Sequence, residues 1–237
     1  MTTTSIQVLN DKVIGDTEAY WIGQYKVKGA LWIHDGNPIR PHALLTSDNH
    51  SNGFFNSRLV IPDEVLLREA ATDLLKIFAI YGGGINLIDV VAGPQTGATK
   101  LAELLSDQIN GYTRGESFFV SPEKSKPDVA KSMIFSDEER DLLLGQTVLL
   151  CEDVITTGGS IGLTEKAIIE AGGKVLPFVL ALVNRSGLTE VNGKKIIALI
   201  NRDMPVYEPH DCPICKQGSE AIPAKDPANW VRLNAVY

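Results

Sequence analysis

Cysteine is scarce in this chain. Three residues in 237, an odd number, cannot make a disulfide framework. Cys151 lies inside an apolar run, where a thiol packs as a small hydrophobe, and only Cys212 and Cys215 stand close together. Long apolar runs are missing as well. No stretch approaches the roughly 18 apolar residues of a membrane helix, and Met1 to Ile6 has neither the basic start nor the apolar core of a secretion signal. Positive charge is in deficit: 22 Lys and Arg against 29 Asp and Glu give a net charge of −7 and a pI near 5.1. That balance argues against holding nucleic acid or an anionic membrane by bulk attraction, so an anionic substrate must be held by local donors or by metal. The cytoplasm is the simplest compartment. With 44% hydrophobic and 22% charged residues, a chain of this length can bury one substantial core, which predicts one domain with an appended subdomain.

What is present centres on Thr147 to Ser160. Val148 to Cys151 is an uninterrupted apolar run that predicts a strand buried on both faces, ending in two adjacent acids, Glu152 and Asp153. Val154 and Ile155 follow, then a turn of hydroxyls and glycines, Thr156, Thr157, Gly158, Gly159 and Ser160. An amphipathic helix comes next, with Ile161, Leu163, Ala167, Ile168 and Ile169 apolar. Glycines let backbone N–H groups approach an anion, the hydroxyls donate, and the helix dipole favours a phosphate at its first turn. Carboxylates repel phosphate but accept hydrogen bonds from vicinal hydroxyls. A ligand with a ribose diol on one side and a 5-phosphate on the other satisfies both.

Residues 1–45 alternate short apolar runs with Gly and Asp turns, which predicts strands and hairpins. Pro62 to Ile80 predicts a helix with Pro62 in its first turn, Asp63 and Glu64 at its positive end, and an apolar stripe of Val65, Leu66, Ala70, Leu74, Leu75 and Phe78. Ile88 to Ala92 reads as a strand, followed by Gly93-Pro94-Gln95-Thr96-Gly97 and a helix over 98–109, a βα unit whose turn offers backbone donors. This turn is not a nucleoside-triphosphate loop. That motif needs a longer spacing between its glycines and a hydroxyl residue after its lysine, whereas Leu101 follows Lys100 here. Ser117 to Val120 is a short strand, and 121–135 is polar and Pro-bearing with no helical or strand period. Val175 to Val183 is a buried strand ending in Asn184-Arg185, and Lys195 to Ile200 is the last strand.

The Glu152 to Ser160 run resembles the phosphoribosyl pyrophosphate (PRPP) signature of the type I phosphoribosyltransferases. Phe54 and Phe55, behind a polar small-residue loop, match the paired aromatics that cover the base in orotate phosphoribosyltransferases, although Thr46 stands where many members carry lysine. Pro205 to Gly218, with Tyr207-Glu208-Pro209 and Cys212-Pro213-Ile214-Cys215, resembles the tail of one orotate subgroup. The resemblance spans 44–218 in the same order.

It implies an α/β fold, a mainly parallel sheet flanked by helices with a small hood: 1–61 as hood and base-binding segment, 62–205 as core, 206–237 as a tail on either. Ligand should then lie outside the strand carboxyl ends. The implied reaction transfers the 5-phosphoribosyl group from Mg²⁺-bound PRPP to a base, orotate favoured, releasing pyrophosphate, in a homodimer. Within a PRPP-binding run of Glu152 to Ser160 that includes Val154 and Ile155, Glu152 and Asp153 would fix the ribose hydroxyls and Thr156 to Ser160 the 5-phosphate, and Gly93 to Gly97 would hold the pyrophosphate through backbone donors. Lys124, Lys126 and Lys131 would sit on a mobile loop that closes over the site. Arg185 would meet the orotate carboxylate, and Thr156 the base. Thr46, Thr96 and Ser121, which replace residues typical of the best-known orotate enzymes, keep open a phosphoribosyltransferase for a purine or uracil, and a non-catalytic PRPP or nucleotide sensor is the other alternative. For the tail, Cys212, Cys215 and His210 could supply three metal ligands, but without a second cysteine pair a metal-free structural tail is the expectation, with no tight protein metal site.

Overall fold

The computed structural model describes residues 3–126 and 130–237. Helix α1 runs Thr3–Val27, where strands and hairpins were expected. The short apolar runs there had suggested a strand period, but the polar spacing is helical. Gln7 reaches Asp11 and Lys12 reaches Asp16 one turn on, and the Thr17 hydroxyl bonds back to Val13 O. Gly15 and Gly23 punctuate no turn; a Cβ at either would meet nothing. Trp21 is fully buried and its indole donates to Asp73.

Strands β1 (Leu31–Ile33), β2 (His42–Leu44), β3 (His50–Ser51) and β4 (Gly53–Phe55) precede helix α2 (Glu64–Ile80). Asp63 caps α2 by accepting from Leu66 N, which leaves Pro62 just outside the helix. Leu66, Ala70, Leu74, Leu75 and Phe78 are buried as expected, whereas Val65 points to solvent. Strand β5 (Val90–Ala92), α3 (Thr99–Thr113) and β6 (Phe118–Val120) follow. After them come β7 (Glu123–Lys124), β8 (Met133–Ile134) and α4 (Asp137–Leu143). Next are β9 (Thr147–Ile155), α5 (Gly159–Glu170), β10 (Lys174–Asn184), β11 (Glu190–Val191) and β12 (Lys194–Asn201). Strand β13 (Val206–Tyr207), α6 (Pro213–Lys216), β14 (Ala221–Pro223) and α7 (Pro227–Leu233) complete the chain.

Two compact units result, 1–21 with 61–202, and 22–60 with 203–237, so the division falls within α1 rather than at 61/62 alone. The first unit holds a six-stranded sheet in the order β11-β12-β10-β9-β5-β6, parallel except for β11 at one edge. Its inner strands are buried on both faces, which is why they read as continuous apolar runs. On one face Val90, Leu150, Val179 and Ala181 pack with Ile161 and Ile168 of α5. On the other, Phe178 meets Phe78 of α2 edge-on, with ring centroids 5.1 Å apart. From β5 the chain steps outward to β6 on one side and, through β9, to β10 and β12 on the other. The order therefore reverses between β5 and β9, and such a reversal leaves a crevice beyond the strands' carboxyl ends.

The second unit has a four-stranded sheet, β13-β3-β2-β14, and the antiparallel pair β1-β4. Trp32, Ala43, Phe54, Ile222 and Leu233 form its core, and the Trp32 indole donates to Leu233 O at 2.8 Å. The tail thus belongs with the amino-terminal strands.

Candidate active site at the ends of two adjacent strands

Glu152 and Asp153 lie inside β9 rather than beyond it, because β10 keeps pairing with β9 past the apolar run, Ala181 opposite Glu152 and Asn184 opposite Ile155. Glu152 is buried, at 8% exposure, and Asp153 is half-buried. Burial pushes the Glu152 carboxyl well above its usual range; the neighbouring Asp153 charge pushes the same way, and the Lys124 ammonium opposes both. The Asp153 amide donates to Glu152 Oε1 at 3.1 Å.

After Ile155, Thr156 to Gly158 turn the chain into α5. Gly158 has φ +77°, and a Cβ there would lie 2.4 Å from Val191 Cγ2, so both conformation and space require glycine. No described side chain caps α5. Its first amides are thus open to an external acceptor, with Thr157 and Gly159 exposed beside them.

At the neighbouring end of β5, Gly93 to Gly97 form the second turn. A Cβ on Gly93 would lie 2.6 Å from Ala98 O and 2.8 Å from Cys151 Sγ; on Gly97 it would lie 2.6 Å from the Asp153 carboxylate. The glycine loop therefore presses against the second acid of β9. Gln95 and Thr96 are exposed, and the peptide bond between them is cis.

Ser121 ties this loop to the segment that follows β6. Its hydroxyl donates to Gly93 O at 2.8 Å and meets Thr99 Oγ1 at 2.5 Å, while Gln95 is held by Ser121 O and Pro122 O. The Ser121 amide donates to Glu139, which also closes the capping box of α4 with Ser136. Sequence reasoning missed Ser121 as a fastener, since a Ser-Pro pair reads as plain loop. Beyond it, β7 and β8 form an antiparallel ribbon where no strand period was expected. Buried Met133 and Phe135 anchor one side, and Ser125 bridges to Ser132 and Ala130. Two-residue strands carry too little alternation to read. Lys124, Lys126 and Lys131 are all exposed on this ribbon; residues 127–129 of the expected loop lie outside the described residues.

Arg185 follows β10, its amide bonded to Ile155 O and its side chain buried at 2% exposure. Asn184 shapes that turn, donating to Leu188 O and accepting from Ser186 N and Oγ. The first unit thus brings together the acid pair, both glycine turns, Lys124 and the Arg185 backbone. Phe54 and Phe55 are in the second unit, both buried, Phe54 edge-on to Trp230 and Phe55 to Tyr25. In the tail, His210 is exposed and pairs with Glu208 and Asp211, so it does not join the cysteines. His42 and His50 do.

The phosphoribosyl transferase domain matches residues 76–208, a span that holds both turns and the ribbon. The chain belongs to the phosphoribosyltransferase family. Among its relatives, the orotate phosphoribosyltransferase of Pelotomaculum thermopropionicum is 35% identical over 197 residues, covering 81% of this chain and 93% of that one. That of Heliobacterium modesticaldum is 32% identical, covering 78% and 88%. The crystal structure of orotate phosphoribosyltransferase from Aeropyrum pernix has the same fold, with a TM-score of 0.55 at 22% identity over 76% of this phosphoribosyltransferase and 92% of that chain.

Proposed function

We propose that the chain transfers the 5-phosphoribosyl group of PRPP to orotate, giving orotidine 5′-monophosphate and pyrophosphate. The contact between Gly97 and Asp153 carries the reading, because it sets a glycine loop suited to pyrophosphate against an acid suited to the ribose diol. Relatives named orotate phosphoribosyltransferase over most of both chains favour orotate as the acceptor.

PRPP lies beyond the carboxyl ends of β5 and β9. Its 5-phosphate takes the open amides of α5 and the hydroxyls of Thr156, Thr157 and Ser160, and its 2- and 3-hydroxyls donate to Glu152 and Asp153. The backbone of Gly93 to Gly97 receives the pyrophosphate. Carboxylate oxygens beside a pyrophosphate loop suit a hard cation. Asp153 is the group that would hold Mg²⁺ entering with PRPP, where the ion would offset charge on the departing pyrophosphate. As the C1–O bond loosens the sugar gains oxocarbenium character, and Lys124, Lys126 and Lys131 meet the leaving group and exclude water when the ribbon closes. Thr156 and Arg185 orient the base, the Arg185 guanidinium matching a carboxylate. The same reading makes the enzyme cytoplasmic and homodimeric. No helix among the described residues is long and apolar enough to cross a membrane.

A pyrophosphate-release assay across orotate, uracil, adenine, guanine and hypoxanthine tests the assignment. Turnover with orotate alone, lost on Asp153→Asn in a folded protein, is the expected outcome. Turnover with another base and none with orotate would replace the acceptor. PRPP binding without release from any base would make the chain a sensor.

A further inference from the structure

In the second unit, four side chains from two distant parts of the chain converge: His42 on β2, His50 on β3, Cys212 before α6 and Cys215 within it. Their ligand atoms all lie within 4.8 Å of one another. His42 Nε2 is 3.1 Å from His50 Nδ1 and 3.5 Å from each of the two sulfurs, and Cys215 Sγ is 3.2 Å from His50 Nδ1. With Zn–S of about 2.3 Å and Zn–N of about 2.0 Å, a tetrahedron spaces its N···N edges by about 3.3 Å and its N···S edges by about 3.5 Å. These four edges lie within about 0.3 Å of those values. We propose that His42, His50, Cys212 and Cys215 form a closed, structural Cys₂His₂ zinc site that clamps the carboxyl-terminal tail to the β2–β3 strands.

The surroundings favour a cation over a plain hydrogen-bonded cluster. Ser219 Oγ donates to Arg40 O at 2.6 Å, so toward His42 it acts as acceptor of a hydrogen bond from Nδ1–H at 2.9 Å. That fixes the tautomer and leaves the Nε2 lone pair facing the other three ligands, the outer-shell arrangement usual for a metal-bound imidazole. Without a cation, two thiols and a second imidazole compete for that one lone pair, and thiols are weak donors. A divalent ion uses all four groups at once, and two thiolates neutralise its charge, which removes most of the cost of burying it. His42 and Cys212 are completely buried and His50 nearly so. No position is left for substrate, so the role is structural, and S₂N₂ tetrahedral geometry selects zinc. The Cys215 amide points at Cys212 Sγ at 3.5 Å, as an amide does toward a thiolate.

The need for such a staple follows from how the unit is assembled. Its sheet is made of short strands, and 22–60 must recruit 203–237 from across the whole intervening chain. Small cores of this kind depend on added cross-links. The site is independent of the transfer reaction, so its test uses metal content and spectra.

Full-length protein, purified without chelator or metal-affinity tag, should carry stoichiometric zinc by plasma mass spectrometry. A thiol-blocking mercurial should release it. Cobalt added to the stripped protein should give the intense visible d–d bands of a tetrahedral thiolate site. Ser219→Ala, which removes only the outer-shell bond, should weaken zinc binding about 10–100-fold, and His210→Ala should leave binding unchanged. If Cys215→Ser fails to fold, the wild-type cobalt spectrum still decides. Substoichiometric metal together with no cobalt band would overturn the site, whether Cys212 and Cys215 then titrate as free thiols or are recovered as a disulfide.

Discussion

Glu152 shows the opposing demands on a single residue. A carboxylate buried on a parallel strand costs stability in the free protein, yet the position suits the ribose diol of the proposed ligand. Its pKa is raised above the ordinary 4.5 by burial first and by Asp153 second. The folded state therefore keeps a proton that the unfolded state has lost, and stability falls as pH rises from 4.5 through the raised value. Glu152→Gln removes that slope. In thermal melts without PRPP the variant should gain on the wild type as pH rises, while its transfer rate drops. A variant whose melting point tracks the wild type at every pH would contradict this account. Gly97 makes a different demand, because a methyl group there would meet the Asp153 carboxylate at 2.6 Å. Gly97→Ala should lower kcat at least tenfold with little change in melting temperature. An unchanged kcat would mean that Asp153 can move aside freely.

Helix α5 is built to be completed from outside. Gly158 starts it in a left-handed conformation, no described side chain caps it, and hydroxyl residues surround its first turn. Gly158→Ala must adopt φ +77° and also displace Val191, which should cost about 1–2 kcal/mol of stability. It should also weaken PRPP binding, as calorimetry would show; equal affinity would place the phosphate elsewhere. The β7–β8 ribbon is fastened at Ser121 and Met133 and presents Lys124, Lys126 and Lys131 to solvent.

For the molecule as a whole, the two units differ in how they hold together. The parallel sheet is stabilised by apolar layers on both faces, and truncating a single side chain such as Leu150 to Ala should cost about 2–5 kcal/mol. The second unit depends on pairing of β13 with β3 and β14 with β2, and on Leu233 O accepting from Trp32. Deleting 206–237 would expose Trp32 and Phe54 and two sheet edges. The truncated chain should aggregate or lose near-UV circular dichroism from its tryptophans. A soluble, fully folded truncation would show that the unit does not need its tail.

Much of the parallel sheet was legible in advance because a strand buried on both faces must be apolar throughout, as Val148 to Cys151 and Val179 to Val183 are; Val175 to Phe178, expected to be buried with them, are not, and Pro177 there is exposed. The turns after β5 and β9 were legible because glycine ends a strand and hydroxyl residues commonly precede a helix. Residues 3–27 misled because short apolar runs fit either period, and i,i+4 polar pairs with the packing of Trp21 and its bond to Asp73 select the helix, whereas the expected strand at Ala30 to Ile33 is present. The acids were expected at the strand's end, but pairing with β10, a partner distant in sequence, carries the strand through them.

Sequence alone therefore determined the chemistry available to this protein: acids beside a hydroxyl-glycine turn, lysines in a polar loop, two cysteines in a tail. Tertiary structure decided which of these groups meet. Gly97 finds Asp153, Ser121 finds Gly93, and the cysteines find His42 and His50 rather than the nearby His210. The physical reason is that composition and local period act over a few residues, whereas each of these contacts is set by strand order and register, which depend on burial across the whole chain.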